Sequence, residues 1–389
     1  MTEKQADTEN QNNGPTGKIK TIMNEKEAFR LKLSSFLLKS FLGLVTCISA
    51  VGVVSILISI AAEAMPFFRE YGLFCFFESD EWYPTDDPKQ FHALGIFVGS
   101  GLVVLGSSIF AVPTGVLAAI CLSDIVPFNV RQIVKPVIEL LAAIPSVVFG
   151  FFALIIFAPI LQNYGGRLLA WALWILSLPI AMIFSLVFSD LSTSFLRQEG
   201  ARKTARVCVF LFLSLISLMV LYLAGTRIYA IDISSGVNIL NASVILAFMA
   251  LPTVVSVCED ALTAVGRNLR EGSYALGATR AETIIKVVVP AAKGGIIAAI
   301  ILGVMRAVGE TMVVLMAAGN AIEVPSPWYN LFDNARTLTA TIAMEMGETP
   351  HGGAHYSALF ALGFVLLIIT FVMNLISEWV VRFSRIKQK

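Results

Sequence analysis

Apolar residues fall along this chain in long unbroken runs, and polar residues are confined to the intervals between them. Eight runs, at residues 40–62, 94–123, 133–161, 168–189, 207–226, 238–258, 294–318 and 356–379, reach the length of about 20 residues that a helix needs to cross the hydrocarbon core of a bilayer. Short segments of alternating polarity, the mark of a closed barrel, do not occur. Helices are then the architecture that satisfies the backbone in lipid. Pro113, Pro145, Pro159, Pro179 and Pro252 fall inside the runs, and kinks or broken turns are expected there. The pattern predicts an all-α polytopic membrane protein with about eight spans.

The polar intervals give an orientation, because cytoplasmic segments carry the Lys/Arg excess. With the N-terminus inside, 22 of the 28 basic residues fall in inner segments and five (Arg69, Lys89, Arg167, Arg227, Arg336) in outer ones, which leaves Arg306 within a span. Both termini are therefore expected in the cytoplasm. Residues 1–39 read as a polar, largely disordered cytoplasmic tail. It is expected to be retained, since the apolar run behind it is too long for the core of a cleaved signal peptide. The first span covers 40–62, an acidic extracytoplasmic loop 63–93, two further spans 94–161 and a transmembrane hairpin 162–237. The remaining spans occupy 238–380 around an inner loop at 259–293, and 381–389 form a cytoplasmic C-terminus.

Composition agrees with the pattern: 57% of residues are apolar and 14% charged, with mean hydropathy +0.79, where a soluble domain carries about a quarter charged residues. The net charge of +1 favours no polyanionic partner, so nucleic acid is excluded on balance. Cys47, Cys75, Cys121, Cys208 and Cys258 form no CxxC pair, and four lie in apolar runs, so they read as small buried hydrophobes. His351 and His355 are four apart, but Gly352 and Gly353 between them argue against a helical metal-ligand pair. The GPTGK stretch at 14–18 lacks the spacing and the following Ser or Thr of a phosphate-binding loop. No set of nucleophile, base and oxyanion donors is present. The chain is thus expected to be no enzyme and to bind no cofactor of its own.

Two outer intervals are long. Residues 63–93 hold seven carboxylates and aromatics such as Trp82 and Tyr83, which suit either a solvated cap with an interfacial aromatic belt or a docking face for a soluble partner. The second, 319–355, carries Pro325, Pro327 and the histidine pair.

Three charged features remain. The inner loop from 259 to 293 is amphipathic, with Leu269, Tyr274, Leu276, Ile284, Ile285 and Val287 to Val289 against Arg267, Arg270, Glu271, Arg280, Glu282 and Lys286. Gly277 permits a tight turn between two short helices, and Pro290 marks entry to the next span. An interfacial connector lying on lipid would show the same pattern. Arg306 and Glu310 are four apart on one expected helix and so share a face. They read either as a buried ion pair that fixes register or as a guanidinium fork offered to an oxyanion, restrained by a carboxylate. Glu139, close behind Lys135 and Pro136, suits a snorkelling or capping role or a place in a gate.

The inner loop, Glu271-Gly272-Ser273, three residues, Gly277, nine residues, Val287 and then Val289-Pro290, resembles the EAA loop of ABC-importer permeases. Gly272 and Ser273 stand for the family's two alanines, and Val287 and Val289 for its Ile and Leu. The segments IELLAAIPS (138–146), RAVGETM (306–312) and ALFALGFVLLIIT (358–370) are similar to the phosphate-specific permeases of the PstC type. That resemblance implies a type I, MetI-like bundle. It makes Glu271, Gly272, Ser273, Gly277, Ala278, Thr279 and Pro290 the ATPase-coupling loop and places Arg306 and Glu310 in the substrate path. It also implies an ATPase dimer carrying ATP and Mg, a second, PstA-like permease, an extracytoplasmic phosphate-binding protein, and surrounding membrane lipids. The family unit has six spans, so the apolar pair at 162–237 is an insertion that keeps the parity of the later spans. Sulfate or molybdate is the close alternative substrate. A secondary transporter or a membrane scaffold are alternatives of another class.

Overall fold

The computed structural model describes residues 25–193 and 199–386, which form two compact units, 1–59 and 60–389. The helices are α1 (Glu25–Glu70), α2 (Leu94–Ile120), α3 (Phe128–Ala143), α4 (Ser146–Phe152), α5 (Ala158–Thr193), α6 (Glu199–Tyr229), α7 (Ile239–Thr263), α8 (Arg267–Ala275), α9 (Arg280–Thr283), α10 (Val289–Val308), α11 (Met312–Ala317), α12 (Leu338–Glu345) and α13 (Ala354–Ile386). Single π-turns at Cys121–Ile125, Ala153–Phe157 and Ile284–Val288 continue α2, join α4 to α5, and join α9 to α10. A two-residue antiparallel pair, β1 (Trp82–Tyr83) and β2 (Gln90–Phe91), completes the set.

In the first unit α1 is exposed on every side, with Phe36, Leu37, Phe41, Ile48 and Val51 all uncovered, as for a helix solvated by lipid. The helix already begins at Glu25. Residues 25–39, expected as disordered tail, are therefore helical, because FRLKLSSFLLK extends the apolar run by three turns; 1–24 lie outside the described residues.

Among the described residues, seven helical stretches are long and apolar enough to span a membrane: Ser34–Glu70, Leu94–Ile125, Ser146–Thr193, Lys203–Tyr229, Ile239–Thr263, Arg280–Val308 and Ala354–Arg382. The eight expected runs become seven at one place. The run 133–161 is cut at Ile144 and Pro145, both extended, since proline has no N–H to donate and disfavours helix in the residue before it. Its second half joins the run 168–189 in one helix of 48 residues, about 72 Å long at 1.5 Å per residue, more than two hydrocarbon thicknesses. Pro113, Pro179 and Pro252 stay inside helices.

Within the second unit α7 is central, with Ile239, Leu246, Val254, Cys258 and Leu262 wholly buried. It runs parallel to α2: a Cβ on Gly106 would meet Ser243, and one on Gly115 would meet Val254. It runs antiparallel to α10, whose Gly295 and Gly303 face Ala261 and Val254. Small residues at these crossings let the backbones approach, the usual device where lipid offers no hydrophobic gain from association. Helices α3 and α4 return along α7, from Arg131 and Lys135 beside Glu259 to Ala153 just after α4, whose carbonyl accepts from Asn241 Nδ2 at 3.2 Å. The hairpin α5–α6 leaves and re-enters at one end, where Gly166 touches the carbonyls of Tyr229 and Ile231 and Gly236 touches Ala158. α7 therefore starts at the end where the hairpin leaves. The α2–α3 turn and the loop 264–283 lie at one end of the unit, the intervals 71–93 and 319–353 at the other.

That second end is a small folded cap. Phe67 stacks on Phe76 with ring centroids 4.9 Å apart, Phe91 meets Phe67 edge-on, and Trp82 is 1% exposed. Trp82, expected in an interfacial belt, is instead interior, because β1–β2 turns it inward against Phe91. Cys47 and Cys208, read as buried, lie on exposed faces. An apolar run in a membrane protein faces lipid as readily as protein.

Candidate functional site

The run 294–318 is broken where charge enters it. Helix α10 stops at Val308, Gly309 caps it, and α11 starts at Met312. Glu310 stands in the gap, and its Oε1 accepts from Val313 N at 3.4 Å at the head of α11. The expected shared helical face of Arg306 and Glu310 is therefore lost. The helix ends between them, Glu310 turns to the next helix, and the structure records no ion pair between the two among the described residues. Arg306 remains on the last turn of α10, half-buried, with Nε shielded from solvent and without a hydrogen-bond partner. Buried donors are nearly always paired; among the described residues Arg336 Nε is the other guanidinium nitrogen left in this condition.

Glu310, 9% exposed, lies on a cavity of about 230 Å³ between α2, α12 and α13, walled by Phe97, Val103, Leu105, Val308, Leu366 and Ile369 and carrying Ser100, Thr337 and Thr339 as its polar groups. Thr339 Oγ1 donates to the Glu310 carbonyl at 2.7 Å. Nothing in the sequence pattern points to Ser100, Thr337 or Thr339; only the return of the segment after residue 319 brings them here.

At the opposite end α8 and α9 flank Gly277, whose φ of +82° suits a residue without a Cβ. Ala278 N donates to Ser273 O and Gly277 N to Tyr274 O, a Schellman closure of α8. Thr279 then opens α9 with a capping box on Glu282. These backbone-derived bonds hold the Glu282 carboxyl down at about 2, with the Lys286 ammonium adding to them. Ser273 is buried and bonds Thr283 at 2.9 Å across the turn. Glu271, Gly272 and Thr279 are exposed, Ala278 is half-buried, and Pro290 sits in the first turn of α10. Leu276 is 91% exposed and Ile285 68%, so the loop leaves apolar side chains unburied on this chain.

Glu139 is on the exposed face of α3 with Leu140 and Leu141, away from Glu310. The acid that matters structurally near α3 is Glu259, 1% exposed, which takes Lys135 Nζ at 2.7 Å and Arg131. Two further pairs are invisible in the sequence pattern. Arg270 Nε donates to Asp124 Oδ1 at 2.9 Å, and Glu345 takes Arg336 at 2.6 Å, Trp82 at 2.9 Å and His355 at 2.8 Å. His355 is committed to that carboxylate, and His351 packs on Tyr356.

Residues 201–386 match the family described as the binding-protein-dependent transport system inner membrane component. The chain is 32% identical over 305 residues, 78% of its own length and 76% of the other, to the probable ABC transporter permease protein YqgH of Bacillus subtilis. It is 31% identical over 322 residues, 83% of each chain, to the phosphate transport system permease protein PstC of Pasteurella multocida. The counterpart of that name in Haemophilus influenzae is 28% identical over 83% of this chain and 85% of the other.

The chain belongs to the ABC-importer permease family, PstC type. As a permease of this kind it is a multi-pass component of the inner membrane, and the family implies an ATPase and a substrate-binding protein as general partners. The break in α10 and the Gly277 loop both lie within the matched residues 201–386; the α2 wall of the cavity lies outside them.

Proposed function

We propose that this permease carries inorganic phosphate inward as one half of a heterodimeric translocation path, with both termini and the Gly277 loop in the cytoplasm. Arg306 offers the anion its guanidinium fork, which the break in the helix leaves unpaired with Glu310, and Glu310 faces the neighbouring cavity. An ATPase dimer engages Glu271 to Thr283 through the exposed side chains of the loop. A PstA-like second permease covers the open faces of α3 and α13, and a phosphate-binding protein feeds the cap formed by 71–93 and 319–353. The observation that carries this reading is the shielded, unpartnered Nε of Arg306 beside the broken helix. A planar, always-charged fork is suited to phosphate. The relatives named as phosphate permeases support the choice of anion. The charge distribution along the sequence supports the orientation.

The chain purified with its associated subunits, reconstituted with ATP inside liposomes and the binding protein outside, should accumulate labelled phosphate. Excess sulfate or molybdate should not displace it. Accumulation of either of those oxyanions in preference to phosphate overturns the substrate. A reagent that labels a Leu276→Cys variant from outside intact cells overturns the orientation.

A further inference from the structure

The Gly277 loop and the Glu310 cavity sit at opposite ends of α2, and both are hydrogen-bonded to it. At the loop end Asp124 lies in the π-turn 121–125. Its carboxylate, 8% exposed, takes Arg270 Nε at 2.9 Å and Nη2 at 3.5 Å. The same guanidinium donates to Leu262 O at 2.9 Å and Gly266 O at 2.7 Å, so each of its three nitrogens is engaged. Arg280, on the other side of Gly277, donates to the backbone carbonyl of Asp124. One residue is thereby gripped from both halves of the loop. Leu269 and Leu276 stay exposed, so these recorded contacts to Asp124 are polar.

At the cavity end Ser100 Oγ accepts from Leu338 N at 2.9 Å. The next residue, Thr339, donates to Glu310 O at 2.7 Å. Between Ser100 and Asp124 runs about 36 Å of helix at 1.5 Å per residue, packed on α7 through Gly106 and Gly115. The π-turns at 121–125 and 284–288 are the junctions of the loop with α2 and α10, and such turns recur at functional sites.

We infer that Asp124 is a positioning residue that ties the Gly277 loop to the Glu310 cavity through α2, so that movement of the loop reaches the cavity wall through Ser100, Leu338 and Thr339. The inference rests on the reading of the loop as the ATPase contact. A guanidinium held at all three nitrogens on a buried carboxylate transmits displacement in a way that a solvated surface pair, with its loose geometry, does not.

The test uses the complete importer in proteoliposomes, with Asp124→Asn, Asp124→Glu, Arg270→Gln and the double variant Asp124→Asn/Arg270→Gln. Three quantities are read: ATPase subunit retained, ATP hydrolysed, and phosphate accumulated per ATP. In Asp124→Asn the ATPase should remain bound and hydrolysis should persist, while phosphate per ATP falls about tenfold, within the usual range of coupling between sites. Asp124→Glu should recover much of the loss. The double variant should be no worse than either single, because the two residues form one link. Unchanged phosphate per ATP in Asp124→Asn, losses that multiply in the double variant, or release of the ATPase subunit overturns the inference. If the parent hydrolyses ATP yet accumulates no phosphate, the substrate reading fails by itself. The link is then judged by hydrolysis stimulated by the binding protein, which Asp124→Asn should lose while keeping the basal rate; retained stimulation overturns it.

Discussion

Thr339 Oγ1 donates to the carbonyl oxygen of Glu310 at 2.7 Å across 29 positions of sequence, joining the head of α12 to the gap between α10 and α11. A helix that stops leaves its last carbonyls without intrahelical donors, and this hydroxyl supplies a donor to the backbone of the gap. Thr339→Val keeps the shape and removes the donor. The unpaired buried carbonyl should cost about 1–3 kcal/mol, seen as earlier thermal inactivation of the purified complex and slower uptake. Thr339→Ser should behave like the parent. Equal stability of the Val and Ser variants would show that the bond does not hold the gap.

Arg306 is argued to serve the anion rather than the fold. Its Nε has no partner, so removing the charge should not weaken assembly; a charge at mid-bilayer itself costs about 2.5–3.5 kcal/mol on insertion scales. Arg306→Gln should assemble normally and lose uptake by at least about tenfold, whereas Arg306→Lys, with charge but no fork, should fall between. Parental phosphate accumulation in cells expressing the Gln variant removes Arg306 from the path.

The sequence shows some of this plainly and some not at all. Spans follow from run length because lipid imposes one requirement on every exposed residue, and the turn at Gly277 is legible because only the chain nearby decides it. The Arg306–Glu310 face is misread for a local reason: periodicity assumes an unbroken helix, and RAVGE ends one at Gly309. The cut of the run 133–161 at Pro145 has a related origin, since hydropathy does not say which proline a helix tolerates. Asp124–Arg270, Glu259–Lys135 and Glu345–His355 depend on which helix ends meet. That is decided by tertiary packing, which the pattern along the chain does not carry.

Glu345 gathers the cap formed by 71–93 and 319–353, taking Trp82 from one interval and Arg336 and His355 from the other. Burial by itself pushes its carboxyl up, but hydrogen bonds from His355 and Trp82, with the Arg336 charge, outweigh it and hold it below the ordinary value of 4.5. A folded value below the unfolded one adds stability that is fully present above 4.5 and is lost as pH falls through the folded value. Glu345→Gln leaves Arg336 unpaired, 10% exposed at its side chain, at a cost of about 3 kcal/mol. Proteases applied to the purified complex should then cut within 71–93 faster than in the parent at pH 7. The difference should shrink below pH 4.5 as the parent's own carboxylate is neutralised. An unaltered cleavage rate at pH 7 would show that the cap is held by its aromatic cluster alone.

The Gly277 loop should keep its shape over an unusually wide acid range. The backbone N–H and hydroxyl of Thr279 and the Lys286 ammonium hold Glu282 at about 2 against 4.5 when free. Its contribution is therefore complete above 4.5, declines below it, and is gone only under about 2. Hydrogen exchange of the α9 amides, corrected for intrinsic rates, should be flat from pH 7 to pH 5 in the parent. In Thr279→Val/Glu282→Ala, which lacks both halves of the capping box, it should be faster throughout and without that acid-dependent decline. Gly277→Val places a β-branched residue at φ +82°, where an L side chain costs about 1–2 kcal/mol, and should speed exchange on both sides of the turn. It should also lower the amount of ATPase subunit that co-purifies, because Leu276 would no longer be presented on a fixed turn. Normal retention of the ATPase by Gly277→Val, with exchange visibly faster, would mean that the partner imposes the loop's shape and the turn does not prepare it.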